Sequence, residues 1–214
     1  MITLVTLGPT QEPLDAMRVI SNRSSGKLGT QLALHLARSG HQVIALRGSG
    51  STYTTDELLA ECHTVIPFTT TEDLGKAFEH ASHGGDIGAV FHAAAVSDFY
   101  FPAASQGKIP SDEPSLTLTL KPTPKLLPRL RSLFPKALVT GWKFEARVEG
   151  IPSQQRKEAL AAASLQIANC GSDACVLNGP AYGEGFGHVG KNGILTHLQD
   201  AHTLCAFLAG ILSR

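Results

Sequence analysis

NRSSGKLG, residues 22–29, follows the apolar run ITLVTL (2–7), with 16 residues connecting that run to Ser24, and it opens an amphipathic stretch ending at Ser39. The apolar run is β-rich and stops at Gly8-Pro9, the pattern of a buried strand followed by a turn. Beyond the loop, Leu28, Leu32, Ala33 and Leu36 recur at helical spacing, and Gly40 supplies a C-terminal stop. Two familiar phosphate loops fail here. A Walker A loop needs GxxxxGK[ST], but Ser21 stands at its first Gly and Leu28 follows Lys27. A dinucleotide fingerprint needs GxGxxG directly after the first strand, and GPTQEP does not supply it. The general physics survives both failures. A helix start offers free N–H groups and the positive end of the macrodipole to an anion. Ser24 and Ser25 add hydroxyls, Gly26 permits close approach and Lys27 adds charge. On spacing alone, Ser24 as a plain N-cap and Lys27 as a solvated side chain fit equally well.

Outward from this stretch, QVIAL (42–46), TVIPF (64–68) and IGAVFHAAA (87–95) read as strands, with Pro67 placing the second at an edge. A helix is predicted over Thr71–Ser82. The alternation implies an α/β, Rossmann-like three-layer fold with a mostly parallel central sheet. Residues 97–115 form a long Pro-, Ser- and Gly-rich loop with no helical period, the character of an active-site flap. SLTLTL (115–120) alternates strictly and predicts a half-exposed strand, a plausible dimer-forming edge. KALVTGW (136–142) predicts a buried strand and QQRKEALAAASL (154–165) a helix. DACVLN (173–178) and GILTHL (193–198) bracket a glycine-rich, hairpin-like excursion before a final helix from about Asp200 to Leu212. With no repeat or linker, residues 1–214 read as a single domain.

Composition narrows the function classes. Eighteen basic and 18 acidic residues give zero formal charge, which disfavours nucleic acid. No apolar run is long enough to suggest a membrane span, and MITLVTLGPT lacks the features of a signal peptide. Cys62, Cys170, Cys175 and Cys205 form no CxxC, and the nine histidines form no HExxH, so no metal-ligating site is predicted. Free thiols in a reducing cytoplasm are the expectation.

The whole segment LGPTQEPLDAMRVISNRSSGKLG resembles the amino-terminal signature of the phosphopantothenate–cysteine ligase (phosphopantothenoylcysteine synthetase) family, approximately GPTxEPxDxVRxISNxSSGKMG. HAAAVSDF (92–99), which contains Ala95, is similar to the family's AAVADY motif. Lys108 stands ten residues after Asp98, the family spacing to its flap lysine. LKPTPKLL (120–127) resembles the KxNPDIL-type segment, VTGWKFE (139–145) the VGFxxE strand end, and QIANC (166–170) the IVAND strand. The resemblance implies activation of the 4′-phosphopantothenate carboxylate by CTP or ATP, with pyrophosphate leaving. The amine of cysteine then attacks the acyl-nucleotidyl intermediate to form an amide in coenzyme A biosynthesis. It further implies Mg2+ on the triphosphate, a homodimer and a cytoplasmic enzyme. Because the sequence opens on the ligase signature, no FMN is expected.

By the same resemblance, Asn22 and Lys108 are the catalytic candidates, Asn22 orienting the activated carbonyl and Lys108 closing with the flap. Ser24, Ser25, Gly26, Lys27, Ala95, Asp98, Trp142, Lys143 and Lys157 fall to the nucleotide and its phosphates, with Asp98 on either the nucleotide or the metal. Arg18 is placed on substrate phosphate or as a brace for the loop, and Asn169 on substrate or at a buried strand end. Several positions depart from the family. Ile109-Pro110 follows Lys108 instead of further lysines, Ala161 stands at the second of two lysine positions headed by Lys157, and Cys170 replaces an Asp. WKFE replaces the bacterial FAAET, with Lys143 as a substitute cation. These changes surround the nucleotide, leave CTP or ATP open, and support one alternative: a catalytically silent nucleotide-binding module. A third option, a nicotinamide-dependent oxidoreductase, lacks both the glycine fingerprint and a YxxxK pair.

Overall fold

A computed structural model describes residues 1–53, 56–104, 107–110, 112, 115–146 and 151–213. Six parallel strands build the centre of one sheet: β1 (Ile2–Leu7), β4 (Gln42–Gly48), β5 (Thr64–Phe68), β6 (Ile87–His92), β9 (Leu138–Phe144) and β10 (Ala174–Asn178). The sheet order is β12-β11-β10-β9-β6-β1-β4-β5, where β11 (Phe186–Gly190) and β12 (Leu195–Leu198) add an antiparallel hairpin. Taken alone, the parallel strands run 3-2-1-4-5-6, the doubly wound Rossmann order. β5 lies at the edge, where Pro67 costs no ladder bond. Each face is covered because the inner strands are apolar on both sides. α1 (Lys27–Arg38), α2 (Asp56–Glu61) and α6 (Ala201–Leu212) pack over Val5, Val43, Ala45 and Phe91. On the opposite face, α3 (Thr71–His83) and α4 (Leu127–Leu133) cover Leu4, Leu46, Val90 and Val139. There α5 (Pro152–Cys170) covers Cys175 and Leu177.

Two short ribbons stand outside the sheet: β2 (Gln11–Pro13) with β3 (Val19–Ser21), and β7 (Phe99–Tyr100) with β8 (Lys121–Pro122). The buried Glu12 carboxylate accepts from the Thr71 N–H at 2.8 Å and its hydroxyl at 2.6 Å, tying the first ribbon to α3.

Two sequence expectations fail. Residues 115–120 form no strand, so they offer no sheet edge to a partner. Among the described residues their alternation finds no neighbouring backbone, and the only pairing nearby is Tyr100 with Lys121 and Phe99 with Pro122. QIANC is likewise no strand. The alanine-rich helix α5 continues through it and stops at Gly171, whose left-handed φ of 65° closes the C-terminus.

His92, at the end of β6, is buried edge-on to Phe78, with Nδ1 2.8 Å from Thr6 Oγ1. That hydroxyl oxygen accepts the Ala94 N–H at 3.0 Å, leaving its proton for Nδ1 of a neutral imidazole. Burial pushes the His92 pKa down to about 4. The unfolded imidazole, near 6.5, protonates first as the pH falls. The stability due to this group is therefore complete above pH 6.5 and drains away toward pH 4. Urea denaturation should show wild type losing about 2 kcal/mol more than His92→Gln between pH 7.5 and pH 5. Equal losses would mean that His92 is not the titrating group.

Candidate functional site

The parallel order reverses between β1 and β6, so the connections leaving their carboxyl ends diverge and open a crevice. Both ends are stitched together: the Ala95 N–H donates to the Gly8 carbonyl at 2.9 Å, and the Thr10 N–H to the Ala95 carbonyl at 3.1 Å. Into this crevice points the amino terminus of α1. Gly26 caps it at φ 79°, and the first helical bond runs from the Thr30 N–H to the Gly26 carbonyl at 2.9 Å. Ser24 and Ser25 turn their hydroxyls onto the Gly26 and Lys27 N–H groups at 3.4 and 3.3 Å. Glycine is required at three places. A Cβ on Gly8 would stand 1.8 Å from Ser51 Oγ, and one on Gly26 2.8 Å from the same oxygen and 3.4 Å from the Gly8 Cα. On Gly29 it would meet the Leu7 Cβ at 2.5 Å, so α1 rests against β1 with no room between them.

The resulting cavity, about 800 Å³, is lined by Asn22, Ser24, Ser25, Gly26, Lys27, Ala95, Asp98, Trp142 and Lys143 among others. Nine residues singled out from sequence thus meet in one place. Among the described residues lining it, Arg23, Lys27, Lys125 and Lys143 are basic and Asp98 alone is acidic. A chain of zero formal charge therefore concentrates positive potential here, which suits a polyanion. Asn22 is oriented by donating from Nδ2 to the Val96 carbonyl at 2.8 Å. Lys27 Nζ lies 5.9 Å from the Tyr53 ring centroid. Asp98 pairs with Lys125, but these side chains are 61% and 67% exposed, so a charged ligand can compete for either. Lys143 pairs with Glu145 at 3.1 Å. Trp142 packs against Phe91 and keeps a buried indole N–H without a partner. Across Asp98 and Lys125 a second cavity of about 470 Å³ adjoins, lined by Trp142, Gln166, Asn169 and Cys170.

A family model for the DNA/pantothenate metabolism flavoprotein C-terminal domain matches residues 2–203. The chain belongs to that family. A coenzyme A biosynthesis bifunctional protein CoaBC of Thermococcus kodakarensis is 36% identical over 175 residues, 82% of this chain and 40% of that protein. Phosphopantothenate–cysteine ligase 1 of Oryza sativa subsp. japonica is 31% identical over 189 residues, 66% of this chain and 59% of that protein. The chain thus spans less than two thirds of the length of either relative. The crystal structure of the DNA/pantothenate metabolism flavoprotein from Streptococcus pneumoniae superposes with a TM-score of 0.82 at 21% identity. That alignment covers 100% of this chain and 98% of the other, and it establishes the fold.

Four sequence-derived candidates lie off the main cavity. Lys108 and Lys157 are exposed and do not line it, and neither does Ala161, one turn along α5 from Lys157. Asn169 is exposed in the last turn of α5 and lines the adjoining cavity, not a strand end. Arg18 braces the loop, pairing with Asp15 at 2.5 Å. Burial raises the Cys170 thiol and pushes Cys175 up to about 12, so neither is a ready nucleophile. Sequence reasoning missed Lys125, although it stands inside LKPTPKLL, and Gln166, which donates from Nε2 to the Trp142 carbonyl at 3.4 Å. It also missed Asp15, which looks like any turn aspartate until its contacts are known.

Proposed function

We propose that this domain is a phosphopantothenate–cysteine ligase. The observation that carries the proposal is the cationic cavity, in which a helix amino terminus, Lys27, Lys125 and an oriented Asn22 face one another. Joining a carboxylate to an amine requires a leaving group on the carboxylate, and transfer of a nucleotidyl group supplies one. In that step a carboxylate attacks phosphorus while pyrophosphate departs, and positioning with neutralisation of charge does most of the work. Ser24, Ser25, Gly26 and Lys27 take the phosphate oxygens, and Lys125 and Lys143 add charge. Asn22 then holds the activated carbonyl for attack by the amine of cysteine, with nucleoside monophosphate leaving. The names of the Thermococcus and rice proteins support this reading.

A magnesium ion fits as a passenger on the triphosphate. The described residues contain no cluster of three or more His, Cys, Asp or Glu that could hold a metal, and Asp98 is the one acid on the cavity wall. Magnesium commonly takes one carboxylate with substrate phosphates, so Asp98 is the protein ligand available to it. Its chemistry would be neutralisation of phosphate charge.

A homodimer is part of the same proposal. With no strand at 115–120, the partner surface is assigned to exposed apolar side chains on and beside the two ribbons: Met17, Val19, Phe99, Leu116 and Leu120. No described helix is long and apolar enough to cross a membrane. A cytoplasmic location is part of the same proposal.

The test is incubation of purified protein with 4′-phosphopantothenate, cysteine, magnesium and either CTP or ATP. Pyrophosphate and 4′-phosphopantothenoylcysteine are followed by mass spectrometry. Product with one nucleotide identifies the donor. Binding of a nucleotide with no turnover of either would instead support the silent module.

A further inference from the structure

The segment carrying Lys108 is fastened to the rest of the molecule by a buried carboxylate. Asp15, in the turn between β2 and β3, is only 5% exposed. Its Oδ1 accepts the N–H groups of Met17 and Arg18 at 2.9 and 2.7 Å. Its Oδ2 accepts Arg18 Nε at 2.9 Å, Arg18 Nη2 at 2.5 Å and the Ile109 N–H at 2.9 Å. Arg18 Nη2 also donates to the Ile109 carbonyl at 2.8 Å, and the Ala16 N–H to the Gly107 carbonyl at 3.5 Å. Both backbone groups of Ile109 are thus held by one ion pair, and the backbone just before Lys108 by the neighbouring turn.

A tight turn does not require this arrangement. Oδ1 alone organises the turn, as a neutral asparagine would. A buried carboxylate is costly unless paired and fully hydrogen-bonded, and here the second oxygen is committed to Arg18 and to a residue 94 positions away. The Arg18 guanidinium and the Ile109 N–H hold the Asp15 carboxyl well below the usual carboxylate range, so the latch stays charged. Asn22 follows β3 directly, so the ribbon that bears the latch also leads into the Asn22 side of the cavity.

We infer that Asp15 is a positioning residue for the flap: with Arg18 it pins the backbone at Ile109 and so fixes the base from which Lys108 reaches the reaction centre. The role given to Lys108 rests on the ligase reading; the latch itself does not. Two measurements separate them. The Lys108–Ile109 bond is a tryptic site whose far side is tied into the latch. Asp15→Asn should speed cleavage there about tenfold relative to other tryptic sites, because opening of that segment becomes easier. Ile109→Pro removes the flap's donor while leaving the Asp15–Arg18 pair intact. It should lower the product formed per pyrophosphate released about fivefold, as an incompletely covered intermediate is lost to water. Unchanged cleavage at Lys108 in Asp15→Asn would overturn the latch. A ratio of product to pyrophosphate equal to that of wild type in Ile109→Pro would overturn its role in positioning Lys108. Should wild type form no product with either nucleotide, the ligase reading fails while the tryptic comparison still decides the latch.

Discussion

Asn22→Ala should lower 4′-phosphopantothenoylcysteine formation by about two orders of magnitude and leave the melting temperature nearly unchanged. The side chain is exposed on the cavity wall, so its removal takes little from the core. Its Nδ2 spends one proton on the Val96 carbonyl, which fixes the amide plane and leaves a second N–H and the carbonyl oxygen for a ligand. A donor aimed at a developing oxyanion is worth roughly 100- to 1,000-fold in rate when it is deleted. Because amide formation follows nucleotidyl transfer, pyrophosphate release should suffer much less than product. A variant making product within threefold of wild type would remove Asn22 from the chemistry.

Gly29→Val should cost about 3 kcal/mol, an overpacking effect at the upper end of the usual range. In a chain of this size that corresponds to a fall of about 8 °C in melting temperature. The introduced Cβ would stand 2.5 Å from the Leu7 Cβ, 3.2 Å from the Leu7 Cα and 3.3 Å from the Thr6 carbonyl oxygen. Backbone and the root of a side chain cannot swing aside, so α1 must lift from β1. Its amino terminus would then leave the position that faces the cavity, and affinity for a nucleoside triphosphate should fall with stability. Gly210→Ala is the control: nothing lies within 4 Å of its Cβ, and α6 should gain about 0.5–1 kcal/mol. Loss of similar size in both variants would point to a general intolerance and not to the α1–β1 contact.

The parallel core was legible because its strands are apolar on both faces: ITLVTL, QVIAL and IGAVFHAAA look like little else. SLTLTL misled for the opposite reason. Period-two alternation describes a surface that a strand would present, but a strand exists only where another backbone pairs with it, and none of the described residues does so at 115–120. QIANC misled through its resemblance to a strand motif, although Gly171 behind an alanine-rich run carried the helix-stop signal. The phosphate loop could be read because Asn22 to Lys27 are consecutive. Lys125, Gln166 and Asn178 reach the same cavity from separate elements, and only the crossing of the sheet brings them there. Asp15 was hidden most completely, since its distinguishing partner is Ile109 and no spacing rule links the two.

The near-contact of Gly8 and Gly26 has a consequence for how such a protein can change. Residues 9–25 leave the frame and return to it at almost the same point, so the excursion is closed at its root. Adding or removing residues in such a loop alters closure entropy only slowly. Asp15, Arg18 and Asn22 all lie on this excursion, whereas Gly8, Gly26 and Gly29 lie at its root or within the frame. The helix start at Gly26 and Lys27 and the segment at 9–23 that directs the chemistry are therefore separable inheritances, with Ser24 and Ser25 at the join between them. One Rossmann frame can keep the first and exchange the second, acquiring a new reaction without having to fold anew.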